Sequence, residues 1–179
     1  MCLYRWYSRV LKKFKMQAAN LMTLLNGYLG GTALFSCAGN RLGLAAVLIF
    51  LAALFDMFDG KLARRLKVES EFGKQLDSLC DAVSFGAAPA VLMNAALFHL
   101  YGFFGVLFSC IYLLCGVIRL ACFNTAAQNG YFYGLPITAA GVLLAAAVYA
   151  IPYIPPYCFF FWILLLSVLM VTPFKMKKI

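Results

Sequence analysis

Four aspartates of this chain, arranged as two pairs, have the residue type and spacing for metal chemistry. Asp56 and Asp59 are three residues apart, and Asp77 and Asp81 are four residues apart, so each pair lies on one face of a helix. A carboxylate near the centre of a membrane helix costs about 2.5 to 3.5 kcal/mol, and the rest of the chain is apolar or basic apart from two glutamates between the pairs. The aspartates therefore need a compensating cation. Hard oxygen ligands favour Mg²⁺ or Mn²⁺, so the pattern predicts a divalent-metal site.

Small and basic residues between the two pairs indicate what the metal would hold. Gly60, Ala63 and Gly73 have little or no side chain, which lets a ligand or another backbone approach closely. Arg64 presents a planar donor fork suited to phosphate. Carboxylates for metal, small residues for a flat group and an arginine for phosphate together predict a nucleotide diphosphate site. Two other uses of buried carboxylates stay open: structural ion pairs, and the ion pathway of a divalent-cation transporter.

The composition indicates an all-α polytopic membrane protein. Of the 179 residues, 65% are hydrophobic and 12% are charged, and the mean hydropathy is +0.90, which exceeds that of a soluble fold. Six apolar segments each approach the roughly 20 residues that cross a bilayer. They are residues 18–38, 42–62, 74–98, 101–123, 134–151 and 157–174. We expect six transmembrane helices in one domain, residues 1–179, with the second and third helices as antiparallel neighbours that bring the aspartates together.

The basic residues predict how the chain lies in the membrane. The net charge of +9 arises from clusters beside apolar segments rather than along one soluble face, which argues against nucleic acid as a partner. Residues 1–17 combine an apolar stripe with lysine and arginine, the pattern of an interfacial amphipathic helix in contact with membrane lipid. The basic clusters fall at one end of the predicted spans, and Arg41 alone falls at the other. We therefore expect both termini and the aspartates on the cytoplasmic side.

The stretch from Asp56 to Asp81 resembles the signature of the CDP-alcohol phosphatidyltransferases at every fixed position. These positions are Asp56, Asp59, Gly60, Ala63, Arg64, Gly73, Asp77 and Asp81. The resemblance implies a six-helix enzyme of a bacterial inner membrane, a homodimer, that transfers a phosphatidyl group from a CDP-linked lipid to an alcohol and releases CMP. By the same resemblance the four aspartates would hold two divalent ions, Mg²⁺ or Mn²⁺, and Asp81 would accept the proton of the alcohol. The residues that would contact the CDP-lipid are Gly60, Ala63, Arg64, Gly73 and Thr23.

Three further runs are similar to the serine-accepting branch of this family: residues 20–27, 77–90 and 134–137. The similarity implies CDP-diacylglycerol and L-serine as substrates. Serine has a carboxylate that needs a cation within reach of Asp81. The candidate serine-binding residues are Arg119, Asn124, Ser84 and Asn26.

Two positions depart from the serine-accepting branch. Cys122 stands where an arginine is usual, and Thr138 stands where a second proline is common. Neither departure changes the assignment of the metal ligands or of the CDP-lipid residues. The alternative within the family is a transferase that uses another acceptor: glycerol 3-phosphate, an inositol phosphate or choline.

Overall fold

The computed structural model describes the backbone of residues 2–66, 71–126 and 134–172, and the side chains of residues 17, 20–58, 71–125 and 134–172. Seven α-helices contain most of this chain, and none of the described residues belongs to a β-strand. The helices are α1 (Cys2–Ala38), α2 (Leu42–Leu66), α3 (Glu71–Asp81), α4 (Ala88–Ala96), α5 (Phe103–Ala126), α6 (Ile137–Ala147) and α7 (Pro156–Val171). The all-α fold class is therefore confirmed.

Six of the apolar helical stretches correspond to the six predicted spans. Asn20–Ala38, Glu71–Ala96 and Phe103–Thr125 are long and apolar enough to cross a membrane, and Leu42–Phe58, Ile137–Ala150 and Pro156–Val171 are shorter apolar helices. Many large apolar side chains on these helices are exposed at the surface, as expected where lipid is the solvent. The chain is a multi-pass membrane protein.

The first helix is longer than the sequence indicates. Residues 1–17 were expected to form a separate interfacial helix, but α1 runs unbroken over 37 residues from Cys2 to Ala38. Nearly all side chains of that segment lie outside the described residues, so its position at the membrane surface stays a prediction. A tight turn with Asn40 at φ 57° then reverses the chain into α2, and α1 and α2 pack along each other.

Two glycines let α1 approach α3 and the turn that follows it. A Cβ atom on Gly27 would lie 2.7 Å from Sγ of Cys80, and one on Gly30 would lie 2.6 Å from Cα of Ser84. A larger residue at Gly30 would require a backbone shift, because the Cα atom that it would meet belongs to the main chain, and a larger residue at Gly27 would displace the side chain of Cys80. The close approach brings the inner face of α1 against the end of α3 that carries the aspartates.

A π-helical turn, Ala82–Ala87, joins α3 to α4 directly after Asp81. In a regular α-helix the carbonyl of Phe85 would accept the N–H of residue 89, but residue 89 is a proline, which has no N–H and whose ring would clash with that carbonyl. The wider turn relieves the clash. The hydroxyl of Tyr112 on α5 donates to the carbonyl of Phe85 at 3.0 Å and so replaces the missing donor.

The start of α6 is held by α5 and α7. Gly134 has φ 65°, and a Cβ atom there would lie 2.8 Å from the carbonyl oxygen of Leu169; the N–H of Leu135 donates to the same carbonyl at 2.9 Å. On the other side, a Cβ atom on Gly116 would lie 2.8 Å from Cδ1 of Ile137. These contacts fix the first turn of α6 relative to both neighbours.

Candidate metal and substrate site

Three of the four aspartates converge between α2 and α3. One carboxylate oxygen from each of three residues, Asp56, Asp77 and Asp81, lies within 4.8 Å of the other two. Asp81 is buried, and the other two are half-buried. The side chain of Asp59 lies outside the described residues, although its backbone continues α2 one turn beyond Asp56. The helix α2 packs against α4 and α6 and touches the π-helical turn, so the second and third spans are neighbours as expected.

The chemistry of this acidic cluster fits a divalent cation. Two unit charges about 4 Å apart near a protein surface repel by about 4 kcal/mol, so three ionised carboxylates this close are stable only with positive charge among them. All the donors are hard carboxylate oxygens, the ligands that Mg²⁺ and Mn²⁺ prefer. Asp56, Asp77 and Asp81 are therefore a candidate site for a divalent metal.

Asp81 is oriented by α1. The side-chain amide of Asn26 donates to Oδ1 of Asp81 at 3.1 Å, and the hydroxyl of Ser84 donates to the main-chain carbonyl of Asn26 at 3.0 Å. Asn26 is fully buried, and its Oδ1 has no hydrogen-bond partner among the described residues. The amide thus fixes one oxygen of Asp81 and presents an acceptor of its own beside it.

Asp56 is oriented by α6. The hydroxyl of Thr138 donates to Oδ2 of Asp56 at 3.1 Å. The helix α6 begins at Ile137, directly after Pro136, and Thr138 is its second residue. The two oriented aspartates are therefore held by two helices, α1 and α6, that are far apart in the sequence.

Arg119 on α5 supplies positive charge to the same site. Its guanidinium is partly buried and interacts electrostatically with Asp81 and Asp56. Cζ lies 5.7 Å from the centre of the Phe123 ring, a cation–π distance. The Nε atom is buried and has no hydrogen-bond partner in the described part of the chain, so the fork keeps donor capacity at the edge of the acidic cluster.

The sequence profile of the CDP-alcohol phosphatidyltransferases matches residues 16–173, nearly the whole chain. The chain belongs to the CDP-alcohol phosphatidyltransferase family. All of the helices that build the acidic cluster lie inside the matched region.

Relatives within the family have serine in their names. Archaetidylserine synthase of Methanothermobacter thermautotrophicus is 37% identical over 131 residues, which cover 71% of this chain and 55% of that protein. A CDP-diacylglycerol–serine O-phosphatidyltransferase of Bacillus subtilis is 35% identical over 125 residues, covering 69% of this chain and 71% of that protein. An enzyme of the same name from Helicobacter pylori is 35% identical over 132 residues, covering 72% and 56%. The chain thus spans little more than half the length of two of these three relatives.

The other predicted site residues of this chain occupy three places. Thr23 is buried on α1, one turn before Asn26, and Gly73 is on α3 one turn before Asp77. Asn124 donates through Nδ2 to the hydroxyl of Ser78 at 3.0 Å, which attaches the end of α5 to the outer side of α3. The side chains of three CDP-lipid candidates lie outside the described residues: Gly60, Ala63 and Arg64.

Sequence reasoning missed two contacts. Thr138 appeared only as a departure from the family pattern, and nothing in its neighbourhood predicts that it reaches Asp56. Tyr112 was one of many aromatic residues in an apolar span. Pro89 inside a predicted span was the available signal that a carbonyl four residues earlier needs another donor.

Proposed function

We propose that this protein transfers the phosphatidyl group of CDP-diacylglycerol to the hydroxyl of L-serine and forms phosphatidylserine and CMP by in-line displacement. The observation that carries the proposal is the cluster of Asp56, Asp77 and Asp81 with the cation Arg119 at its edge. The relatives' names differ in the lipid, archaetidyl or diacylglycerol, but have serine in common. This common part favours L-serine over the other acceptors considered above: glycerol 3-phosphate, an inositol phosphate or choline.

The four aspartates of the motif would hold two divalent ions, Mg²⁺ or Mn²⁺. Asp56, Asp77 and Asp81 provide a converged set of oxygens, and Asp59 follows Asp56 on the same helix. When bound, such ions neutralise the charge that develops on the leaving phosphate and orient the diphosphate. The protein contributes the rigid placement of the ligands, because the helices that carry them are packed against α1.

Asp81 is proposed as the base that accepts the proton of the serine hydroxyl. A general base must lie within hydrogen-bond reach of the proton that it removes, and its orientation must be fixed. The hydrogen bond from Asn26 holds Oδ1 of Asp81, and Ser84 in turn holds the backbone of Asn26. Asn26 and Ser84 would therefore serve the serine site through Asp81.

Arg119 is proposed to bind the carboxylate of serine. A guanidinium pairs with a carboxylate through two parallel hydrogen bonds, and Arg119 on α5 interacts electrostatically with Asp81 and Asp56. The buried Oδ1 of Asn26 is an acceptor suited to the ammonium group of the same amino acid. Asn124, which donates a hydrogen bond to the hydroxyl of Ser78, would close the cytosolic side of this subsite.

The CDP-lipid is proposed to lie along α2 and α3 beside the metal site. Gly60, Ala63 and Gly73 would let the cytidine approach the backbone, Arg64 would bind phosphate, and Thr23 would contact the diphosphate from α1. The acyl chains would leave sideways into the lipid. We further propose that the enzyme works as a homodimer in the inner membrane of a bacterium, with its active site facing the cytoplasm.

The test is CMP release from the purified protein in detergent with CDP-diacylglycerol and Mn²⁺, with and without L-serine. We expect release that depends on both serine and metal, with phosphatidylserine as the lipid product. Parallel reactions with glycerol 3-phosphate, inositol phosphate and choline are expected to give no product. Release with one of these alcohols instead of serine would refute the acceptor assignment, and metal flux into proteoliposomes without CMP release would refute the transferase reaction.

A further inference from the structure

The hydroxyl of Thr138 behaves differently from those of Thr32, Thr125 and Thr172. Thr32 and Thr125 donate to carbonyls three or four residues earlier in their own helices, and Thr172, the residue that caps the end of α7, donates to the carbonyl of Val168 in that helix. Such local bonds are the usual behaviour of threonine in a helix. Thr138 instead donates across helices to Oδ2 of Asp56 at 3.1 Å, over a separation of 82 residues.

The position of Thr138 in its helix explains why its hydroxyl donates to a different helix. It is the second residue of α6, so the residues three and four positions earlier precede the helix and do not form a helical turn beneath it. The hydroxyl is therefore available to another element. The half-buried carboxylate of Asp56 is the group that it meets.

The first turn of α6 is held close to Asp56 by contacts with α7 and with the π-helical turn. The contacts of Gly134 and Leu135 with the end of α7, described above, anchor the residues that lead into the helix. One turn after Thr138, a Cβ atom on Gly141 would lie 2.9 Å from Cα of Phe85, so α6 also rests directly on the π-helical turn. Because this segment is anchored, the hydroxyl of Thr138 is held within hydrogen-bond distance of Asp56.

We infer that Thr138 is a positioning residue for the metal site: its hydroxyl holds Asp56 in the orientation that binds the divalent ion. The donated hydrogen bond occupies one lone pair of Oδ2 and leaves Oδ1 and the remaining lone pair for the ion. Groups that hydrogen-bond to a metal-ligating carboxylate typically change metal affinity 10- to 100-fold. The inference rests on the metal site of the proposed function, but it does not depend on which alcohol is the acceptor.

The experiment measures Mn²⁺ binding to the full-length protein in detergent, without substrates, from the electron paramagnetic resonance signal of free Mn²⁺. Four proteins are compared: wild type, Thr138→Val, Thr138→Ser and Thr172→Val. Valine has the shape of threonine without the hydroxyl, and serine retains the hydroxyl. Thr172→Val removes a threonine hydroxyl at the end of α7 that bonds only within its own helix.

We expect Thr138→Val to bind Mn²⁺ about tenfold more weakly, Thr138→Ser to restore most of the affinity, and Thr172→Val to match the wild type. In the CMP-release assay the loss should show as a higher Mn²⁺ concentration at half-maximal rate, with a rate at saturating Mn²⁺ close to that of the wild type. Superimposable titrations of wild type and Thr138→Val would overturn the inference, as would a serine variant that behaves like valine. If wild type itself bound no Mn²⁺, the metal site and this inference would both be overturned, whereas failure to use serine would overturn only the acceptor assignment.

Discussion

At the scale of single residues, the positive charge of Arg119 has two candidate roles: balancing the aspartate charges and binding the carboxylate of serine. Its interaction with Asp81 and Asp56 could serve only to balance the carboxylates, whereas the donor capacity left at its buried Nε suits a bound carboxylate. The two roles make different demands. A residue that only balances charge affects metal binding, and a residue that binds serine affects the concentration of serine that the enzyme needs.

We predict that Arg119→Ala raises the KM for L-serine by one to two orders of magnitude, because a hydrogen bond to a charged group contributes about 1.5 to 3 kcal/mol. The KM for CDP-diacylglycerol should change little. Initial rates of CMP release at varied serine and at varied CDP-diacylglycerol measure both quantities. Arg41→Ala, on the opposite side of the membrane by the charge pattern, is the matched control and should keep the serine KM of the wild type. An unchanged serine KM in Arg119→Ala would remove Arg119 from the serine subsite.

At the scale of helices, the third span is built from three parts so that Asp81 stands at the end of a regular helix and before a wide turn. The π-helical turn Ala82–Ala87 rotates the residues that follow it relative to α3, and such turns occur frequently at functional sites. Tyr112 satisfies the carbonyl that Pro89 leaves without a donor. One buried hydroxyl of α5 therefore satisfies a main-chain carbonyl of the turn that joins Asp81 to α4.

We predict that Tyr112→Phe lowers stability, because it leaves the buried carbonyl of Phe85 without its side-chain donor, at a cost of about 1 to 3 kcal/mol. For a chain of this size that corresponds to a fall of roughly 2 to 12 °C in the melting temperature, measured by thermal unfolding in detergent. Tyr153→Phe is the control, since Tyr153 is 86% exposed, and it should melt with the wild type. Equal melting temperatures for all three proteins would show that the π-helical turn does not need the Tyr112 hydroxyl.

The sequence predicted the local parts of this architecture and missed the connections between distant helices. Helical periodicity was enough to place Asp77 and Asp81 on one face, and apolar length was enough to find six helices, because both depend on neighbours in the chain. The hydrogen bonds of Asn26 to Asp81 and of Thr138 to Asp56 join residues 55 and 82 positions apart. No spacing rule predicts such contacts, since they depend on how the helices pack. The resemblance to the CDP-alcohol phosphatidyltransferases, which rests on motifs that are local in the sequence, is confirmed by the family profile that matches residues 16–173.

At the scale of the whole molecule, charge is distributed unequally between the two ends of the bundle. The turn at Gly39 to Arg41 carries one basic residue, whereas the end that holds the acidic cluster carries Lys61, Lys74 and several arginines. Lysine and arginine are retained on the cytoplasmic side of membrane proteins. In the proposed reaction the same end would also admit a water-soluble amino acid and release CMP, so the charge pattern and the proposed chemistry predict the same orientation.

We predict that a thiol at the Gly39 turn faces the outside of the cell and a thiol at Lys74 faces the cytoplasm. Gly39→Cys fits the structure, because a Cβ atom there meets nothing closer than the carbonyl oxygen of Phe35 at 3.6 Å, and Lys74 is an exposed residue at the start of α3. Each change is made in a variant whose native cysteines are replaced and whose CMP release has been checked, expressed in the inner membrane of a bacterial host. A membrane-impermeant maleimide should label Gly39→Cys in intact spheroplasts and Lys74→Cys only after permeabilisation. The reverse pattern would place the acidic cluster outside the cytoplasm, where the aspartates would no longer meet the CDP-lipid and serine of the cytosol, and the proposed reaction would fail on topology alone.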